Sequence, residues 1–249
     1  MPSSYVFVRS ADRTMGTSSA FVVRLPQTYK SITSMSLVSA ELSFAMYNID
    51  TPFTSGCRFT HDGITFDMSL PGGFYAIDDL RSAMLASLQT AFPTAGVSAV
   101  NYAEIMGRLA IVYGSGRVFT VQNTSAGLLG RIFGTDPAGS ATMASAGALT
   151  FPYICQLFPV STLFLRISEL PALCVATNSQ TAFARIQLSA APKSVVMSNN
   201  ANGVVNTNNF STPIATLSTL TCSLFSADGV PVNLHGCEWT FTLLVQSAA

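Results

Sequence analysis

This sequence has no charge excess of either sign. Twelve Lys and Arg balance twelve Asp and Glu, and charged residues make up only 10% of 249. Phosphate-directed binding leaves a basic footprint, so direct contact with nucleic acid is not expected. A chain this poor in charge associates readily, which points to surfaces that meet protein partners. Histidine is nearly missing, with only His61 and His235. A metal centre on a β-sandwich needs several His with a carboxylate at ligand spacing. No metal and no cofactor is therefore expected, and both histidines read as polar turn residues. There is no G-x-S-x-G nucleophile motif. Gly114-Ser115-Gly116 and Gly127-x-x-Gly130 do not open a helix after a strand as nucleotide-binding loops do. Asp67, Asp78, Asp79 and Glu104 read as strand-face and helix-cap carboxylates rather than a catalytic pair. The expectation is a protein that is not an enzyme.

No apolar run reaches the roughly 18 residues of a membrane span, and no stretch has the basic-then-apolar form of a secretory signal. The five cysteines, Cys57, Cys155, Cys174, Cys222 and Cys237, are odd in number, lack CxxC spacing and lie in apolar or strand-like contexts. They read as reduced, buried thiols of a protein made in a reducing compartment. The sequons at Asn123 and Asn209 matter only in the secretory pathway and read as chance. There is no internal repeat and no charge run.

What the chain does have is 49% hydrophobic residues, 17 of them Phe, enough for a substantial core. The dominant pattern has period two, the mark of half-buried strands. Phe21, Val23 and Leu25 share one face. Val38, Ala40, Leu42, Phe44 and Met46 alternate with Ser39, Glu41, Ser43 and Tyr47. Ile64, Phe66, Met68 and Leu70 alternate with Thr65, Asp67 and Ser69. Leu163, Leu165 and Ile167 form a third apolar row, and Trp239, Phe241, Leu243 and Val245 the clearest. Asp62-Gly63 and Asp228-Gly229 mark tight hairpins.

One segment breaks this pattern. Over 78–92, Leu80, Met84, Leu88 and Phe92 recur at every fourth position, Asp78 and Asp79 sit where a helix start favours negative charge, and Pro93 follows. This spacing predicts one amphipathic helix, with a shorter helical turn at 126–133. The Gly/Ala/Thr-rich stretch 136–148 and the Asn-rich stretch 198–209 read as long loops. The fold class is all-β: a single jelly-roll β-sandwich of eight strands with one inserted helix, about 78–92, in one domain over 18–249.

Residues 1–17 read differently. Val6, Phe7 and Val8 form an apolar anchor too short for a core of its own; Arg9, Asp12 and Arg13 form a charged knot, and Gly16 with a Thr/Ser stretch offers a hinge. These six residues are the candidate subunit-interface site. The expectation is an N-terminal arm that leaves its own domain for a neighbouring subunit, with an edge strand of the same subunit as the alternative.

The order of segments carries a resemblance. "RSADR" precedes "FVVRLP"; a long strand closes in Tyr47-Asn48-Ile49; "PGGFY" feeds the helix; "LGRIFG" falls midway; and "DGVPVNL" leads to the last strand. This series resembles the single jelly-roll penton (vertex) capsid proteins of large icosahedral double-stranded DNA viruses, the chlorella-virus and giant-virus group. The resemblance implies a structural capsid protein that forms homopentameric capsomers at the vertices. Its neighbours are then a major capsid protein with a double jelly roll and minor capsid proteins. It implies a place in the virion, after synthesis in the host cytoplasm. The alternative is a minor capsid or spike-head protein that binds a host glycan. Tyr102, Tyr113 and Tyr153, the aromatics suited to sugar stacking, read as core or rim residues.

Overall fold

The computed structural model describes residues 2–50, 54–124, 129–144, 147–158, 160–172, 174–175, 181–188, 194–199 and 206–248. Its contacts divide the chain into two compact units, residues 1–46 with 160–249, and residues 47–159. The division is hidden in the sequence because both units are built from the same alternating strands, with no linker composition at either junction.

The first unit contains β1 (Ser3–Arg9), β2 (Met15–Gly16) and β3 (Ala20–Ser43) from the N-terminal side. The second contains β4 (Cys57–His61), β5 (Ile64–Met68), α1 (Ile77–Ala91), β6 (Val97–Ala103), β7 (Arg108–Tyr113), β8 (Phe119–Asn123), α2 (Leu129–Phe133), β9 (Thr142–Ala144) and β10 (Ala148–Thr150). The chain then returns to the first unit with β11 (Thr162–Ile167), β12 (Cys174–Val175), β13 (Thr181–Ala182), β14 (Ala184–Gln187), β15 (Val195–Asn199), β16 (Thr207–Ser226) and β17 (Trp239–Ser247).

In the first unit eight strands make one antiparallel sheet in the order β1-β17-β3-β16-β11-β14, with β2 and β15 also paired to β3. The 24-residue β3 organises it. Residues 20–24 pair with β16, with Met15–Gly16 on their other side, whereas residues 39–43 pair with β17 and β15. β3 therefore passes from one leaf of the sandwich to the other. The corner is marked by Ser31, a non-glycine residue with φ +49°, and by register shifts in β16 between Asn209 and Ile214 and between Leu217 and Thr219. Bulges and isolated left-handed residues are what bend a strand this long without breaking its ladder.

The two leaves enclose one core. Phe21, Val23, Leu25, Leu42, Leu163, Leu165, Ile167, Trp239, Phe241, Leu243 and Val245 are all buried in it. Trp239 stacks on Phe241 at 4.9 Å and meets the edge of Phe21 at 6.0 Å, while its indole N–H donates to the Ser18 carbonyl at 2.7 Å. The period-two reading holds at each of these positions. It fails at Val38, which is only half-buried, while Leu37 is buried. The cause is a bulge: the pairing of β17 with β3 jumps from Thr242↔Ser39 to Leu243↔Leu37, and the extra residue inverts the face.

In the second unit β5-β4-β8-β9 and β10-β7-β6 form two antiparallel sheets. α1 spans Ile77–Ala91 and buries Leu80, Met84 and Leu88 completely, as its four-residue spacing predicts. The Asp79 carboxylate accepts from the Ala76 backbone N–H at 3.3 Å, half of a capping box, because Ala76 has no acceptor to return. Arg81 ties the first half of the helix to the Val100 carbonyl of β6, and Gln89 ties the second half to Val97. Among Ile64, Phe66, Met68 and Leu70, only Met68 and Leu70 are buried; Ile64 is exposed beside the Asp62-Gly63 turn.

Two loop expectations are corrected in part. Thr142–Ala144 and Ala148–Thr150 are strands, paired to β8 and β7, and Val195–Asn199 and Thr207–Asn209 lie in strands paired to β3. Short edge strands take their order from the ladder beside them, so a Gly/Ala/Thr or Asn-rich composition does not announce them. Residues 145–146 and 200–205 lie outside the described residues, as do 126–128 of the helical turn expected over 126–133; the described part of that turn is α2, Leu129–Phe133.

Candidate subunit-interface surface

The six candidate interface residues occupy β1, the 3₁₀ turn Ser10–Asp12 that follows it, and Arg13, which caps that turn. β1 lies against β17 of its own chain in an unbroken register, Ser3↔Gln246 through Arg9↔Thr240. Val6 and Val8 point into the shared core, each 3% exposed. The described N-terminal segment is thus an edge strand of its own sheet, the alternative weighed for residues 1–17. Two buried valines and a seven-residue ladder supply the surface that an isolated arm lacks.

The charged knot also closes within the chain. Arg9 grips the Asp12 carboxylate with both prongs of its guanidinium, at 2.8 Å and 2.6 Å. The hydrogen bond from Arg9 holds the Asp12 carboxyl below its ordinary range. Arg13 donates to the Ser10 carbonyl at 2.8 Å and to Glu238 Oε1 at 2.6 Å. The Ser10 hydroxyl donates to Glu238 Oε2 and accepts the Trp239 backbone N–H at 2.9 Å. The Ser10 hydroxyl first and Arg13 second lower the Glu238 carboxyl below its usual range. This clasp pins the turn after β1 to the first residue of β17. Glu238 and Ser10 have no local signature as a pair, since 228 positions separate them.

What remains for a neighbour is the outer face of β1. Tyr5 is 71% exposed and Phe7 62%. Of the six candidates, Val6 and Val8 are used by the core, Arg9, Asp12 and Arg13 by the clasp, and Phe7 alone offers a large free apolar surface. Tyr5, not among the six, joins it because side chains two apart in a strand share a face.

The chemistry-bearing residues elsewhere have structural surroundings. Asp67 is held by Arg58 across β4–β5 at 2.6 Å and 2.8 Å, and Asp78 pairs with Arg81 at 2.8 Å. His235 is an exposed turn residue with φ +50°. His61 departs from the turn expectation: it is 2% exposed, stacked on Phe119 at 5.4 Å and edged by Phe92 and Tyr113, with ring nitrogens 3.2 Å from the Val118 carbonyl and 3.1 Å from Ser115 Oγ. The three aromatic residues that enclose it come from β7, β8 and the end of α1, which the hairpin dipeptide beside it could not reveal. Among the described residues no three His, Cys, Asp or Glu gather as metal ligands. Cys57, Cys155 and Cys222 are buried free thiols; burial pushes Cys155 up to about 12 and raises the other two as well. Cys237 is half-buried, and the side chain of Cys174 lies outside the described residues. Of the three tyrosines weighed for sugar stacking, Tyr113 is buried, Tyr102 half-buried and Tyr153 exposed. No described helix is long and apolar enough to cross a membrane.

No protein-family model and no curated protein matches the chain. A solved structure does: the fold is similar to that of the mavirus penton protein, with a TM-score of 0.51, 8% sequence identity, and coverage of 98% of this chain and all of that one. At that identity the likeness concerns the fold. It agrees with the antiparallel sheets described above: the chain is an all-β, single jelly-roll β-sandwich with one inserted amphipathic helix.

Proposed function

We propose that this chain is a structural capsid protein whose five copies form the penton at each icosahedral vertex of a large double-stranded DNA virus. One observation carries the reading: the similarity to the mavirus penton protein runs end to end, over 98% of this chain and 100% of the other. A shared sandwich alone would cover the first unit; here the second unit is spanned too. The motif order, which resembles the chlorella-virus and giant-virus pentons, supports the same role. So does a composition with few charges and large exposed apolar residues, among them Tyr5, Phe7, Ile105 and Met106. In this role the partners are other copies of the chain, a double jelly-roll major capsid protein and minor capsid proteins. The chain performs no catalysis and works in the virion after synthesis in the host cytoplasm.

The test is stoichiometry. Quantitative mass spectrometry of purified particles is expected to find about sixty copies, five at each of twelve vertices. A chain absent from particles, or present at several hundred copies, refutes the vertex role. Recombinant full-length chain is expected to sediment with a pentameric species.

A further inference from the structure

The two ends of the main sheet are treated differently, and the difference is legible in the hydrogen bonds. At one end is β14. Its outward-facing backbone at Arg185 is already satisfied: the Asn206 side chain accepts from the Arg185 N–H at 3.1 Å and donates to the Arg185 carbonyl at 3.0 Å. One carboxamide takes the place of the next strand at this residue, which blunts the edge.

At the other end is β1, and it is open. The Ser247 N–H donates to the Pro2 carbonyl, so the pair 2↔247 is a hydrogen-bonded one. Hydrogen-bonded and non-bonded pairs alternate along an antiparallel ladder. Ser4, Val6 and Val8 therefore bond to β17, and Ser3, Tyr5, Phe7 and Arg9 turn their N–H and C=O groups away from it. Among the described residues none of the hydrogen bonds engages those outward groups of Tyr5 and Phe7. The strand carries no Lys, Pro or bulge over Ser3–Arg9, the usual protections of a free edge. The same two residues expose their aromatic rings.

We propose that the open β1 edge pairs with β1 of a second copy in an antiparallel, two-fold contact that continues the sheet from one molecule into the next. The segment is self-complementary for this. With Val6 on the dyad, Tyr5 lies opposite Phe7 of the other copy on both sides, and their outward N–H and C=O groups exchange hydrogen bonds. Directly opposed aromatic pairs are among the stabilising cross-strand pairs. Arg9 falls opposite Ser3, and Asp12 already neutralises it, so no like charges meet. A two-fold contact uses the same patch on both copies, so it closes as a pair rather than propagating into a filament. This contact is distinct from the flank contacts of a five-fold ring and does not depend on the vertex reading.

Proline gives a clean test. At residue 5 or 7 it removes an N–H that faces away from β17, a position where an edge strand accepts proline. Full-length wild type, Tyr5→Pro and Phe7→Pro are compared by sedimentation velocity over a concentration series, with far-UV circular dichroism to confirm equal folding. Wild type is expected to show a two-fold species that both variants lose. In wild type the Tyr5 and Phe7 amides are expected to gain hydrogen-exchange protection as concentration rises; among the described residues they have no acceptor in their own chain. A wild type with no two-fold species up to ~100 μM, or a two-fold species retained by both variants, overturns the pairing whether or not pentamers form. Pentamers that persist in both variants while the two-fold species disappears support it and leave the vertex reading standing.

Discussion

Trp239 is the position where replacement is most informative. Its indole is 1% exposed, stacked on Phe241, edged by Phe21 and hydrogen-bonded to the Ser18 carbonyl. A side chain of this size buries roughly 200 Å², which at about 25 cal/mol/Å² corresponds to about 5 kcal/mol of transfer free energy. Measured truncations of buried aromatics fall at about 3–5 kcal/mol, since the site partly collapses. Trp239→Ala also strips Ser18 of its donor, and Ser18 is itself 5% exposed. Trp239→Phe separates the two effects. It keeps the ring against Phe241 and loses the N–H, so its cost is expected near 1–3 kcal/mol, that of an orphaned buried carbonyl plus lost volume. The assay is urea unfolding followed by far-UV circular dichroism, which does not rely on the chain's one tryptophan. Trp239→Ala is expected to cost about 3–5 kcal/mol, clearly more than Trp239→Phe. A Trp239→Ala cost below about 1 kcal/mol refutes the enclosed indole, and equal costs for the two variants refute the division between packing and hydrogen bond.

Three further outcomes are expected. Met84→Asp places a charge on the fully buried face of α1 and is expected to cost several kcal/mol in the same assay, whereas the exposed neighbour Ala86→Asp stays within about 0.5 kcal/mol. Ser31→Gly is expected to leave stability unchanged or raise it, because φ +49° suits glycine, while Ser31→Val, β-branched at a left-handed position, lowers the melting temperature. Glu238 has a folded-state carboxyl below its unfolded value, so its contribution is complete above the unfolded value near pH 4.3 and is lost as pH falls through the folded one. Glu238→Gln is therefore expected to flatten the acid limb of a stability-versus-pH curve measured by thermal unfolding; an unchanged limb removes the clasp from the account.

Periodicity by itself determined much of this protein. Trp239 to Val245, Leu163 to Ile167 and Leu80 to Leu88 could be assigned to the core without coordinates, because a strand or helix facing one core repeats its apolar residues at its own geometric period. The same logic failed wherever the backbone left that period. A bulge at Val38 itself exchanged it for Leu37, and the short edge strands β9 and β10 are held by ladders that no local pattern records. Only the tertiary structure decided what the N-terminal segment does. Val6-Phe7-Val8 reads as an anchor in the sequence, but whether it grips its own sheet or a neighbour's depends on β17, more than 230 residues away. The clasp of Ser10 and Arg13 on Glu238 and the bonding of Arg185 by Asn206 are likewise pairings between residues far apart in the sequence. Residue type sets which groups can bond, and chain topology alone sets which of them meet.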